Sequence, residues 1–219
     1  MPAPVDGQRT PIEPDAYRTL AREGRSEFTE KKSRFIGIAA PALWEADALA
    51  FLEDVRARYP DCSAVLFAYL CGWGGEVQRY HDAHEPSGGL LMLEALKRQN
   101  VTGAAVAVVR YFGGVHLGAG PLGRAFGRAA AEAVAAAGPC TLERSLRYRV
   151  DLDYSLSGRV ERFFERSPHR LLGLAYGAAL TAEALVRAGE EPRFLREMAD
   201  LTGGQAVPTL VEQTYSHWE

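Results

Sequence analysis

The sequence predicts an α+β protein in two domains, and three observations carry that prediction. Short apolar runs and helical periodicities interleave as far as Pro139. The composition then changes: Leu146, Tyr148, Val150, Leu152 and Tyr154 alternate with Arg147, Arg149, Asp151 and Asp153 in a strict period of two. From there the elements come in the order strand–helix–strand–strand–helix–strand, the split-βαβ or ferredoxin-like unit.

Taken in order, residues 1–25 carry Pro2, Pro4, Pro11 and Pro14 with little periodicity, and read as an extended leader with a helical turn at Asp15–Arg22. The ordered region is expected to open near Phe28. Ser33–Ala40 is a strand, and Pro41 suits the first turn of a helix. Trp44, Ala48, Phe51, Leu52, Val55 and Tyr59 make one helical stripe. Ala64–Cys71 is a short apolar strand, and Val77–Tyr80 is an edge strand beyond a glycine turn. Leu90–Leu96 ends in Lys97 and Arg98, cations that suit the end of a helix. Ala104–Phe112 is the most apolar strand, and Leu122–Ala137 is an Ala-rich helix stopped by Gly138-Pro139. The boundary falls near Pro139–Ser145, which gives domains over 26–140 and 145–219. In the second domain Leu156, Val160, Phe163 and Phe164 share a helical stripe. Leu171–Tyr176 and Ala179–Arg187 form a hairpin, and Pro192 opens a helix that Gly203-Gly204 stops. Val207–Tyr215 is the last strand, confined by Pro208 to an edge.

The chain has 219 residues, 25 Lys+Arg against 28 Asp+Glu, and a formal net charge of −3. That balance excludes a uniformly basic nucleic-acid coat but not a local basic face. No apolar run approaches the roughly 18–20 residues a membrane helix needs, and the N-terminus has no signal-like apolar region. Cys62, Cys71 and Cys140 are odd in number and lack C-x-x-C spacing, which argues against disulfides or a zinc ribbon and for the cytoplasm.

Gly118-Ala119-Gly120-Pro121-Leu122-Gly123 matches the dinucleotide pattern G-x-G-x-x-G, but five residues separate it from the preceding strand. A Rossmann site is therefore not expected, and no P-loop pattern occurs. Gly123 and Gly127 lie four apart, on a helix face suited to close approach to the sheet. Arg124 and Arg128 form a second face, and Arg110 ends the preceding strand. Such a glycine loop, helix N-terminus and guanidinium set suits an anion such as phosphate. The alternative is that these arginines are solvated or paired, for example with Glu132. His81-Asp82-Ala83-His84-Glu85 fits no metal motif, and Pro86 prevents a continuous helix through it, so a surface turn is expected, with no metal and no cofactor. His116 is the histidine best placed to meet a ligand. Ser87 lies near His84 in sequence, without a visible base–nucleophile pair. Lys31-Lys32 with Arg34, and Lys97-Arg98, are short basic clusters.

Three segments carry a resemblance: Glu30-Lys31-Lys32-Ser33-Arg34-Phe35-Ile36, Glu85-Pro86-Ser87-Gly88, and the long run Arg110-Tyr111-Phe112-Gly113-Gly114-Val115-His116-Leu117-Gly118-Ala119-Gly120-Pro121-Leu122-Gly123-Arg124-Ala125-Phe126-Gly127. They resemble the YigZ/IMPACT family over about residues 25–138, and the tail is similar to the C-terminal domain of its bacterial members. The resemblance implies a two-layer α/β sandwich with a left-handed βαβ crossover, like the fourth domain of elongation factor G. It also implies a ferredoxin-like second domain, and association with RNA, the ribosome or a translation factor. The chain departs from the family pattern in three places. Val65-Leu66 stand near the usual His-Cys pair; Asp82-Ala83-His84-Glu85-Pro86 replaces D-D-G-E-P; and Ser87-Gly88-Gly89-Leu90 shortens S-G-T-A-G-x-P.

The retained glycine and arginine signature favours binding over chemistry. The leading reading is a non-enzymatic RNA- or ribosome-binding protein. Its anion contacts are Arg110, Gly113, Gly114, His116, Gly118, Gly120, Arg124, Arg128, Lys31, Lys32 and Arg34. The exposed strand face with Arg147 and Arg149 is available to extend the contact. Two alternatives stay open: an enzyme on a small phosphorylated or peptide-like substrate, using His84, Glu85, Ser87 and His116, and a protein-interaction module for a translation partner. The oligomeric state is left open.

Overall fold

The computed structural model describes residues 13–85 and 88–218. They form two compact units that meet in sequence at Thr141 and Leu142. The architecture is α+β, with helices and two largely antiparallel sheets.

The first unit contains β1 (Ala16–Leu20), β2 (Gly24–Glu30), β3 (Ser33–Pro41), α1 (Glu45–Arg58), β4 (Ala64–Cys71), β5 (Val77–His81), α2 (Gly88–Arg98), β6 (Ala104–Tyr111) and α3 (Ala119–Ala136). The sheet order is β2-β3-β6-β4-β5, with every pair antiparallel. β6 is central and buried on both faces. Ala104, Val106 and Val108 point to α2 and α3, whereas Ala105, Ala107 and Val109 point to α1. The two-layer expectation thus describes the sheet with α2 and α3, and α1 covers the opposite face through Ala48, Leu52 and Val55.

This arrangement fixes a chirality. β3 and β4 are parallel across β6 and are joined by α1 on one face. β5 and β6 are parallel across β4 and are joined by α2 on the other face, with the crossover running the opposite way along the sheet. Two such crossovers must have opposite hands. One of them is therefore left-handed, against the strong right-handed rule.

Three expectations need correction. The segment read as a leader with a helical turn holds β1 and the start of β2, while residues 1–12 lie outside the described residues. Thr19 and Leu20 are buried, and the Thr19 hydroxyl donates to the Gly103 carbonyl at 2.9 Å. The flanking prolines masked this short β-prone stretch. Pro41 does not open a helix; it closes β3 opposite Ala104. Helix α1 starts after Trp44, whose N–H donates to the Asp47 carboxylate at 3.0 Å. Finally, the close helix–sheet approach comes from glycines on the strands. A Cβ on Gly37 would lie 2.3 Å from the Ala129 carbonyl oxygen, and one on Gly24 would lie 2.1 Å from the Ala137 nitrogen. Gly127 instead faces α2, where its Cβ would meet that of Leu91 at 3.2 Å.

The second unit begins within β7 (Pro139–Leu152) and continues through α4 (Ser157–Arg166), β8 (Arg170–Tyr176), β9 (Leu180–Arg187), α5 (Glu191–Thr202) and β10 (Thr209–Ser216). The order β10-β7-β9-β8, all antiparallel, is ferredoxin-like, with β10 at an edge directly after Pro208. Val160 and Phe164 of α4 and Phe194 and Met198 of α5 bury the inward residues of β7 and β9. On the other sheet face Arg147 pairs with Glu183 at 2.6 Å and Glu212 at 3.3 Å, and Arg149 with Asp151 at 3.3 Å. That face is charge-paired, so Arg147 and Arg149 do not make it basic.

Candidate functional site

The glycine-rich segment after β6 meets the hairpin between β2 and β3. Glu30 pairs with Ser33, so Lys31 and Lys32 form a two-residue turn, with φ of 44° and 65°. Both lie in the left-handed region, where Asn-Gly is the low-cost choice. Gly113 packs on this turn: a Cβ there would sit 1.9 Å from the Lys32 carbonyl oxygen. Ser33, fully buried, accepts from the Gly113 N–H at 3.3 Å and from Arg110 Nη2 at 3.4 Å. No sequence motif marks this role for Ser33, because only the β3–β6 pairing brings it to Arg110.

Arg110 is 5% exposed. It forms an ion pair with Glu85, and its guanidinium lies 5.2 Å from the Phe112 ring and 5.8 Å from the Phe35 ring. A buried, paired guanidinium of this kind organises its neighbours, and losing its partner would be costly. Phe112 in turn lies against His116, with ring centroids 5.1 Å apart and planes tilted by 43°. Glu85, Arg110, Phe112, His116, Gly118 and Ala119 border a cleft of about 420 Å³. Gly118, at φ 83°, precedes α3, and Leu122 makes the first helical bond back to its carbonyl at 3.0 Å. The N–H groups of Ala119 and Gly120 therefore have no helical acceptor, and Pro121 has no N–H to satisfy. The helix begins three residues earlier than expected for that reason.

Arg124 and Arg128 do not join Arg110. With Arg98 they line a separate groove of about 440 Å³ between α2 and α3, over Leu91 and Ala95. Arg128 pairs with Glu132 at 2.8 Å, the alternative weighed from sequence, and its guanidinium covers the Phe28 ring at 4.2 Å. Arg124 is exposed and makes no ion pair among the described residues. Arg34 is held by Glu27 at 2.6 Å, which pulls the Glu27 carboxyl below its ordinary range. The arginines expected to converge on one anion are thus divided: one buried and neutralised, one paired at the hairpin, and two in a second groove.

The catalytic alternative required His84, Glu85 and His116 to meet. Glu85 and His116 border the same cleft, but Glu85 is committed to Arg110. His84 is exposed in the turn after β5 and is not part of the cleft wall. Ser87 lies outside the described residues. Among the described residues no cluster of three or more His, Cys, Asp or Glu is arranged to hold a metal ion. The cysteines form no disulfide there, and burial pushes the Cys71 thiol up to about 11.

A two-unit α+β chain with a strained Lys-Lys hairpin against a glycine loop defines a recognisable class. Residues 31–134 match the Impact N-terminal domain, and residues 150–205 match a domain of unknown function, DUF1949. The chain is 31% identical to the IMPACT family member YvyE of Bacillus subtilis, over 91% of this chain and 93% of that protein. It is 28% identical to the IMPACT family member YigZ of Escherichia coli, over 84% of this chain and 92% of that protein. A solved structure described as a hypothetical protein superposes with a TM-score of 0.59 at 25% identity, covering 91% of this chain and 99% of that one. The chain belongs to the IMPACT family. No helix among the described residues is long and apolar enough to cross a membrane.

Proposed function

We propose that the chain is a non-enzymatic, cytoplasmic RNA- or ribosome-associated protein linked to translation regulation. It contacts phosphate through the Lys31–Lys32 tip, the adjoining glycine loop at the start of α3, and Arg124 and Arg128 with Arg98. The observation that carries this reading is the hairpin tip. The chain has only three lysines, and two of them are adjacent in left-handed conformations that cost each of them backbone energy. Both are exposed, and neither makes an ion pair among the described residues. Strain retained at an exposed basic tip marks a place where side-chain chemistry outweighs turn preference. Arg110, Glu85 and Ser33 serve that tip by holding Gly113 beneath it.

The test is a titration of structured RNA at several salt concentrations. Wild-type affinity falls as salt rises, because phosphate contacts release counterions. The double variant Lys31→Asn/Lys32→Gly has a better turn and is expected to be more stable, yet to bind more weakly. Its log–log salt slope is expected to drop by about one to two. Unchanged RNA binding in that variant rules out the hairpin contact. Absence of RNA binding by the wild type rules out the proposed function.

A further inference from the structure

The helical layer of the second unit carries a basic groove. Arg159, Arg162 and Arg166 of α4 line it together with Arg193 of α5, over Phe163 and Leu201. The positions 159, 162 and 166 fall on one helical face. The row spans about 10 Å at the rise of an α-helix. None of these three arginines makes an ion pair among the described residues, and all three are exposed.

One carboxylate, Glu197, also lines the groove, and it is already engaged. Its Oε1 pairs with Arg193 Nε at 2.8 Å, and its Oε2 lies 3.4 Å from Nε2 of the buried His169. Arg193 has Glu190 as a second partner at 3.5 Å. No carboxylate among the described residues pairs with the α4 row, and Glu161 and Glu165 of the same helix project from its other side. Every cation in the second unit is an arginine, the side chain best shaped to grip phosphate oxygens through two parallel hydrogen bonds.

We infer that this groove binds an unpaired segment of RNA, with the α4 arginines on successive phosphates and Phe163 bordering a base. The inference rests on the RNA reading above and adds a second contact surface to it. The groove is wide and shallow at about 410 Å³, which suits a strand crossing it better than an enclosed metabolite. An aromatic ring flanked by a basic row is the combination that single strands need: charge for the backbone and a face for stacking. On the opposite, sheet face Arg147, Arg149 and Arg187 are paired with carboxylates, and the one aromatic ring flanked by guanidiniums, Trp218, is already covered by Arg170 and Arg187.

The experiment uses the full chain and a labelled RNA carrying a single-stranded loop, titrated at several salt concentrations. Arg159→Gln/Arg162→Gln/Arg166→Gln alters only exposed side chains and is expected to fold as the wild type does, checked by circular dichroism and thermal unfolding. Its affinity is expected to fall about tenfold or more at low salt, with the salt slope reduced by about two. Phe163→Leu is expected to lower affinity by about tenfold at all salt concentrations without changing the slope. If the arginine variant binds like wild type while Lys31→Asn/Lys32→Gly binds weakly, the groove is not an RNA site and the hairpin reading stands. If the wild type binds no RNA, both fall together. If polyglutamate of matched charge displaces the RNA and binds as tightly, the groove belongs to an acidic peptide and the inference is overturned.

Discussion

Ala83 and His84 both sit in the left-handed region, at φ of 40° and 72°, in the turn whose Glu85 N–H donates to the Asp82 carbonyl at 2.6 Å. The Asp82 carboxylate accepts from the Gly89 N–H at 2.6 Å, tying this turn to the first residues of α2. The related pattern D-D-G-E-P has glycine where His84 stands, so the conformation explains the glycine and exposes what this chain gave up. His84 is exposed, and among the described residues its side chain makes no hydrogen bond or ion pair that repays the strain. His84→Gly is therefore expected to stabilise the fold by about 1 kcal/mol, the steric cost of a left-handed residue less the added freedom of glycine in the unfolded chain. Denaturant unfolding at fixed pH checks it; a destabilised variant would mean that the imidazole makes a stabilising contact. Glu85, one residue on, answers to a different constraint. Its ion pair with Arg110 is set by the approach of this turn to the end of β6, a long-range meeting that motif spacing did not encode.

At the scale of elements, helix α3 meets the sheet through side chains, as where Phe126 packs edge-on against Phe35, and through backbone where small residues line up. Ala129, Ala133 and Ala137 recur every four residues and press against the glycines of β2 and β3. The Ser26 hydroxyl reinforces the contact by donating to the Ala129 carbonyl at 2.8 Å. Gly37→Ala places a methyl group 2.3 Å from that carbonyl oxygen, a backbone atom that moves only if the helix moves, and 2.5 Å from Ser26 Oγ. The expected loss is about 3 kcal/mol or more, read as a lower denaturant midpoint. A loss below about 1 kcal/mol would show that α3 can lift from the sheet at little cost. The elements themselves were largely legible. Alternation in β7, the apolar run of β6 and the stop at Gly138 each reflect a local rule. The glycine partnership was not legible, because the helix pattern shows only small residues and cannot say which side of an interface gives up its Cβ. β1 was missed for a related reason: its burial comes from Gly103, 84 residues away from Thr19.

For the molecule as a whole, the second unit has a core of its own, separate from the two that cover the faces of the first unit's sheet, and it is expected to stand alone. In a fragment that starts at Leu142, β7 retains its pairing with β9 from Ser145 and with β10 from Glu143, and the core between sheet and helices is complete. Trp218 would be its sole tryptophan. The indole donates to Ser145 Oγ at 2.9 Å and lies 4.6 Å from the Arg170 guanidinium and 4.5 Å from that of Arg187, so its fluorescence reports the folded sheet. His169 gives this unit a pH dependence. It is 3% exposed beside Phe163 and Phe194, and burial lowers its pKa below the ordinary 6.5, with Arg193 acting in the same direction and Glu197 and Glu190 opposing. Between that depressed value and 6.5 the unfolded chain binds more protons than the folded one, so stability rises with pH across the window. The contribution is fully present above pH 6.5 and is lost as pH falls from there through the folded value. The Trp218 unfolding midpoint is therefore expected to drop as pH is lowered below 6.5, and His169→Phe is expected to flatten that dependence by leaving no group to protonate behind Glu197. An equally steep dependence in His169→Phe would transfer the effect to the carboxylates of the unit. A fragment without a cooperative transition would show that β7 needs its first three residues, and with them the N-terminal unit, to hold the ferredoxin-like sheet together.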